Sequence, residues 1–418
     1  MNDPHGIVHD GQRYHLFFQH APDHLSWHPA LDWGHAVSDD LVGWQELPLA
    51  ITPGPADMGC WSGSVVFAAD GTPVMFYTSP LEHDWKHGRI VVADGSPDLA
   101  TWTRRPGGPL IDGPPPGLGL FDFRDPQVRR EGNGWAMVVG AGQQGTGGVV
   151  VQYRSPDLCR WSYDGLLATH DPVMVAAAAG GEVGPVWECP QFVAIDGCWV
   201  LIVSATDFVG AHMVLAALGD YDGHGFTARR WCRLAHGDRA YATTTFRDRD
   251  GRACVMSWLK ERDFVAPAGS PWASAQSLPA RLAVEGERLT VCPHPDLDAV
   301  LPARVWPVGE TASGQPLAVG ATWRVQIAIA PGQALRLDVV GEHPWSLATT
   351  ADGASLAITT AKATVLGAMP SPQYDGVVDV VVDTDIAEVF ATGGEGWLAA
   401  RVPAQPTATV TVTVTRGD

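Results

Sequence analysis

Apolar and polar positions alternate in short runs along most of this chain, and turn residues bound nearly every run. Val65 to Tyr77, Ala136 to Val139, Val149 to Tyr153 and Trp199 to Ser204 read as β-strands, because alternating or continuous apolar runs of this length suit half-buried or buried strands. A single short helix is expected, at Asp296 to Arg304. One turn-like segment recurs: Ser38-Asp39-Asp40-Leu41 leading to Trp44, Ser96-Pro97-Asp98-Leu99 leading to Trp102, and Ser155-Pro156-Asp157-Leu158 leading to Trp161. The three tryptophans stand 58 and 59 residues apart, and Asp220-Tyr221-Asp222 leading to Phe226 reads as a degenerate fourth copy. A unit of that length holds four short strands and their turns, which is the size of a β-propeller blade.

Five such units need about 290 residues, and the texture changes near that point. From about Cys292 to Gln315 come Pro293, Pro295, Pro302, Pro307, Gly309 and Gly314, and 296–315 reads as a linker. Beyond it strict period-two patterns appear at Trp323, Val325, Ile327 and Ile329, at Leu335, Leu337 and Val339, and at Val410, Val412 and Val414. Such alternation marks antiparallel strands with one buried face. The expected organisation is all-β: a five-bladed propeller over 1–295, the linker, and a β-sandwich over 316–418.

Composition narrows the partners. The chain of 418 residues carries 27 Lys+Arg against 46 Asp+Glu, a formal charge of −19. Excess acid repels phosphate backbones and anionic lipid, so neither nucleic acid nor a membrane is the expected partner. The 47 Gly, 33 Pro and 17 Trp fit an aromatic-rich, turn-rich β protein. Seven cysteines cannot all pair and none has zinc-ligand spacing, so buried free thiols and a cytoplasmic location are expected. The three lysines lie outside any phosphate-binding loop. His20, His24 and His28 lie among Pro22 and Pro29 in a loop, and calcium-type acidic loops are lacking, so no metal or other cofactor is expected.

Blade phase singles out three acids. Inner strands of a propeller converge on one channel, so equivalent positions in different blades face one another. Asp3 in Asn2-Asp3-Pro4, Asp125 in Arg124-Asp125-Pro126 and Glu188 in Glu188-Cys189-Pro190 share a phase, 122 and 63 residues apart. Any one of them alone would pass as turn chemistry. Three carboxylates on one axis raise each other's pKa, and their coincidence points to catalysis.

In order along the chain, Met1-Asn2-Asp3-Pro4-His5-Gly6, Tyr14 to Gln19, Trp33-Gly34-His35-Ala36, Trp61-Ser62-Gly63-Ser64, Phe123-Arg124-Asp125-Pro126 and Trp187-Glu188-Cys189-Pro190 resemble the signature blocks of glycoside hydrolase family 32, the β-fructofuranosidases. Val382-Asp383 and Glu388-Val389-Phe390 resemble that family's sandwich motif. The resemblance implies that Asp3 is the nucleophile, Asp125 a stabiliser of the sugar hydroxyls and Glu188 the acid/base. It further implies that Asn2, Gln19, Trp33, Trp61, Ser62 and Arg124 line a fructose pocket, with the Trp rings stacking on sugar, and that sucrose or a fructan is the substrate. A retaining pair implies carboxyls about 5–5.5 Å apart. Three departures stand out: His5 replaces the Asn of the first block, His20-Ala21-Pro22 replaces Tyr-Asn-Pro, and the segment that precedes the internal Met in the family is not present before Met1. The last leads us to expect a natural start some residues earlier, with secretion as the alternative location. Fructosyl transfer, and a carbohydrate-binding protein without turnover, are the competing functions.

Overall fold

The computed structural model describes every residue except 55–56, 208–211, 263–265, 267–268, 307–315, 331, 372–375, 392–394 and 417–418. It divides into two compact units, one of residues 1–233 with 241–276, the other of 234–240 with 277–418.

The first unit repeats one motif. Strands β1 (Pro4–His9), β2 (Tyr14–His20), β3 (Asp32–Ser38) and β4 (Gln45–Ile51) form a four-stranded antiparallel sheet in chain order. The same order recurs in β5 (Trp61–Phe67), β6 (Pro73–Leu81), β7 (Asp84–Gly95) and β8 (Trp102–Arg104). It recurs again in β9 (Leu120–Glu131), β10 (Gly134–Gln143), β11 (Gly147–Ser155) and β12 (Ser162–Thr169). A fourth sheet comprises β13 (Val186–Ile195), β14 (Cys198–Thr206), β15 (His212–Tyr221) and β16 (Phe226–Arg233). Strands 240–247 and 253–259 follow, with Ala275–Gln276 paired to the latter. The apparent run from Val65 to Tyr77 is two strands, because Asp70 and Gly71 form a turn that returns the chain, Asp70 Oδ1 accepting from Thr72 N at 3.0 Å.

The recurring Ser-x-Asp-Leu-x-x-Trp segment is the turn between the third and fourth strands of three sheets. Each Asp carboxylate collects turn N–H groups: Asp40 from Val42 and Gly43, Asp98 from Ala100, and Asp157 from Cys159 and Arg160. Leu41, Leu99 and Leu158 all take positive φ, and the indole N–H of Trp44 and of Trp102 donates to the carbonyl of the Leu three residues before it. The degenerate copy occupies the same place between β15 and β16, where Asp222 accepts from His224 and Gly225. The repeat is therefore a local Asx-turn device that joins the last two strands of each of these sheets.

One further helix, α1 (Pro172–Ala179), was not foreshadowed by the strand pattern. Its start is set by Asp171, whose side chain accepts from Val173 N and Met174 N, and its end by Gly180 at φ 75°.

In the second unit two six-stranded sheets pack face to face in a sandwich-like arrangement. Their shared core holds Trp323, Val325, Ile327, Leu337, Leu347, Ile358, Val380, Val389, Val410 and Val412, the inward set of the period-two pattern. The opposite face is less polar in its exposure than alternation suggests. Arg324 is buried and donates from Nε and Nη2 to the buried Asp379 at 2.9 and 2.7 Å, while its Nη1 also meets Asp298. The expected helix at Asp296 to Arg304 shrinks to the single turn Leu297–Val300, because Pro302 disfavours helical geometry at Leu301. Arg304–Trp306 instead pairs in parallel with Thr322–Ile329. The remainder of the expected linker, 307–315, lies outside the described residues.

All seven cysteines are free thiols, five of them buried. Among the described residues no helix is long and apolar enough to cross a membrane.

Candidate active site

The first strands of successive sheets, β1, β5, β9 and β13, lie side by side, and each breaks its register at the same level. The irregularities fall between His5 and Val8, between Trp61 and Gly63, between Arg124 and Gln127, and between Glu188 and Gln191. A bulge re-aims side chains out of the pleat: Ser62 and Asp125 lie inside two of them, Glu188 opens a third, and Asp3 immediately precedes β1. Four non-glycine residues with positive φ cluster here: Asp122, Asp125, Cys189 and Ala242. Such strain persists only where surrounding structure over-determines it. Two glycines permit the close approach of neighbouring strands. A Cβ on Gly88 would stand 1.8 Å from Phe123 O, and one on Gly140 2.2 Å from Trp187 O.

Cys189 is the hub. Its backbone N–H donates to Asp125 Oδ2 at 2.8 Å, and its Sγ lies 3.5 Å from Asp125 Oδ2 and 3.6 Å from Asp3 Oδ2. Asp125 is held from the other side, its own N–H donating to Thr78 Oγ1 at 2.8 Å.

Asp3 terminates a directional chain of donors. Asn2 Nδ2 donates to Gln19 Oε1 at 3.3 Å, Gln19 Nε2 to Ser62 Oγ at 2.7 Å, and Ser62 Oγ to Asp3 Oδ2 at 2.5 Å. Because the Gln19 amide N–H can only donate, the Ser62 proton is left to Asp3, which favours the carboxylate. Burial works the other way, and with the charge of Glu188 it lifts Asp3 to about 6 in spite of the Ser62 bond. Asp125 is raised too, chiefly by burial, with Arg124 opposing and Glu188 and Asp3 adding.

Glu188 is gripped by two donors. Arg124 Nη1 donates to Oε1 at 3.2 Å and Tyr241 OH makes a short bond to Oε2. Tyr241 also reaches Ser204 O at 3.3 Å. Arg124 in turn pairs with Asp122 through Nη2, and its guanidinium lies 5.4 Å from the centre of the Trp61 ring. The two bound acids hold Arg124 firmly charged.

The structure brings Asn2, Gln19, Ser62, Arg124 and the three acids into one network. The two tryptophans stand differently. Trp33 has no exposed surface; its indole donates to Trp61 O at 3.0 Å and its ring packs against His5 and Phe17. Trp61 is also buried, held by its bond to Pro29 O at 2.8 Å, and its ring meets Arg124. Tyr241, Asp122, Cys189 and Thr78 were not singled out by sequence. Cys189 and Asp122 sit beside recognisable blocks, but nothing around Tyr241 marks it, since its partner is 53 residues away.

A family model, the Glycosyl hydrolases family 32 N-terminal domain, matches residues 1–295. The chain is 28% identical to the Sucrose-6-phosphate hydrolase of Escherichia coli over 97% of its own length and 87% of that protein's. It is 31% identical to the Levanase of Bacillus subtilis over 72% of its length, a match that spans 46% of the levanase. In fold it is similar to the GH32 beta-fructofuranosidase of Bombyx mori, with a TM-score of 0.80 at 23% identity, covering all of this chain and 91% of that one. Ordered signature blocks, an all-β fold and a match over most of the chain thus agree, and this chain belongs to glycosyl hydrolases family 32.

Proposed function

We propose that this chain is a retaining β-fructofuranosidase that releases terminal β-D-fructofuranosyl residues from sucrose or fructans. The observation that carries the reading is the convergence of Asp3, Asp125 and Glu188 on Cys189 and its neighbours, with each carboxylate given different partners. Asp3, with its proton-donating serine, is poised as a carboxylate nucleophile for the anomeric carbon. Glu188 protonates the leaving oxygen, a fructosyl ester forms on Asp3, and water then attacks with Glu188 as base, so configuration is retained. Asp125 accepts hydrogen bonds from ring hydroxyls, a contact that strengthens as the ring gains oxocarbenium character. Arg124 and Tyr241 keep Glu188 aimed.

The fold fits this role as a five-bladed propeller over 1–295, joined through 296–315 to a sandwich over 316–418. The sandwich itself contributes no residue to the chemistry proposed here. The anomer of fructose first released from sucrose tests the mechanism: the β anomer supports retention, and the α anomer overturns it. The same assay at high sucrose distinguishes hydrolysis from fructosyl transfer, and the absence of any turnover would leave a binding protein.

A further inference from the structure

Aromatic rings lead outward from the catalytic acid. Glu188 is bonded to Arg124, and Arg124 lies over Trp61. Trp27 meets Trp61 edge-on at 5.9 Å between ring centres, and Trp85 meets Trp27 at 6.1 Å. Exposure rises along the series, from 5% at Trp61 to 39% at Trp27 and 45% at Trp85. Trp27, the middle ring of the series, also lines a small cleft together with Asn2, the residue before Asp3, and with His24, Leu25 and Ser26.

Trp85 is not a loose surface residue. It follows the β6–β7 turn, where Leu81 pairs with Asp84, and lies in a bulge of three residues, Trp85 to His87, before the ladder resumes at Pro80 and Gly88. The next residues tie the turn down: Lys86 Nζ lies 5.7 Å from the centre of the Phe121 ring, and the His87 ring bonds to Asp112 O at 2.7 Å. An indole nearly half exposed is held in place although it has no core to complete. Indole faces match the C–H faces of sugar rings, and a rigid aromatic contributes contact area with little entropy loss.

We infer that Trp85 is a specificity-determining residue forming an outer subsite, and that it stacks on the saccharide unit beyond the leaving sugar. The favoured substrate class is then a fructo-oligosaccharide of three or more units rather than a disaccharide. A disaccharide ends at the leaving sugar and does not extend to Trp85; a trisaccharide does. This rests on the fructosidase reading above.

The test is selectivity, the ratio of kcat/KM on 1-kestose and nystose to that on sucrose, for the unaltered chain and for Trp85→Ala and Trp85→Tyr. The expected result is a five- to tenfold fall in the ratio for Trp85→Ala, carried by KM, with most of it restored in Trp85→Tyr. A proportional loss on all three substrates, or no change in the ratio, overturns the subsite. Failure of the unaltered chain to turn over any of the three overturns the fructosidase reading instead. Calorimetric titration of nystose into Asp3→Asn and into the Asp3→Asn, Trp85→Ala double variant gives a second readout: equal affinities also overturn the subsite.

Discussion

Single side chains at this site act through the proton they hold or accept. In the proposed mechanism Asp3 is the nucleophile, so in Asp3→Asn kcat on sucrose is expected to fall by at least about a thousandfold. Glu188→Gln loses about 10²–10⁴-fold on sucrose but much less on a fructoside whose leaving group needs no proton; steady-state rates on the two substrates check this, and equal losses would remove Glu188 from the acid role. Asp3 must be ionised to attack, and burial with the Glu188 charge lifts it to about 6, so kcat/KM falls as pH drops below about 6. Ser62 donates to the ionised form, hence Ser62→Ala raises the nucleophile further and moves that acid limb to higher pH. A pH–rate profile in which the limb stays put or moves down contradicts the donor chain from Asn2 through Gln19. Asn2, Gln19 and Ser62 were expected together from their blocks, and the structure joins them in one hydrogen-bonded chain. Their direction of donation was not legible in the sequence, because it depends on side chains 17 and 43 residues apart meeting in space.

Strand pairing determines whether those side chains meet. Gly140 is in β10 and touches no catalytic atom, yet it is the place where β13 comes closest, just before Glu188. Gly140→Ala inserts a methyl against Trp187 O, which overpacking costs about 1–3 kcal/mol. The expected outcome is a lower Tm together with a reduced kcat, since displacement of the neighbouring strand shifts Glu188 from Arg124 and Tyr241. Unchanged kcat with a lowered Tm would show that β13 yields elsewhere. The third-to-fourth-strand turns were the most readable elements: their Ser, Asp, Leu and Trp satisfy one another locally. The helix α1 was missed although Asp171, Pro172 and Gly180 are recognisable stop and start signals, because an Ala-rich apolar segment has no amphipathic period to reveal it. The Val65 to Tyr77 run shows the converse error, where apolar continuity concealed a turn.

At the scale of the whole molecule, stability responds to pH through every carboxyl whose folded pKa is raised, Asp3 and Asp125 among them, and one such group lies in the second unit. In the second unit Glu388 is buried, its Oε1 accepting from Leu278 N at 2.8 Å while its Oε2 has no hydrogen-bond partner among the described residues. Burial, with a smaller push from Asp383, raises it to about 8 against the opposing Leu278 bond. A carboxyl whose folded pKa lies above its unfolded value contributes stability that is complete below the unfolded value of about 4.5 and declines as pH rises towards about 8. Thermal unfolding followed from pH 5 to pH 8 is expected to show a falling Tm that Glu388→Gln flattens, the amide oxygen still accepting from Leu278. An identical slope in the variant assigns the decline to other groups.

The sequence by itself determined the all-β class, the repeated sheet turns, the inward set of the sandwich strands and the acids in phase. These are local or periodic properties, carried by side-chain alternation and by turns whose partners lie within a few residues. Only the tertiary structure decided what surrounds those acids: that Trp33 is fully buried, that Tyr241 and Arg124 share Glu188, and that Cys189 stands between Asp3 and Asp125; it alone decided, too, that Arg324 and Asp379 pair on a sandwich face expected to be exposed. Each depends on strands far apart in the chain, and on bulges that turn a side chain out of the alternation from which a sequence is read.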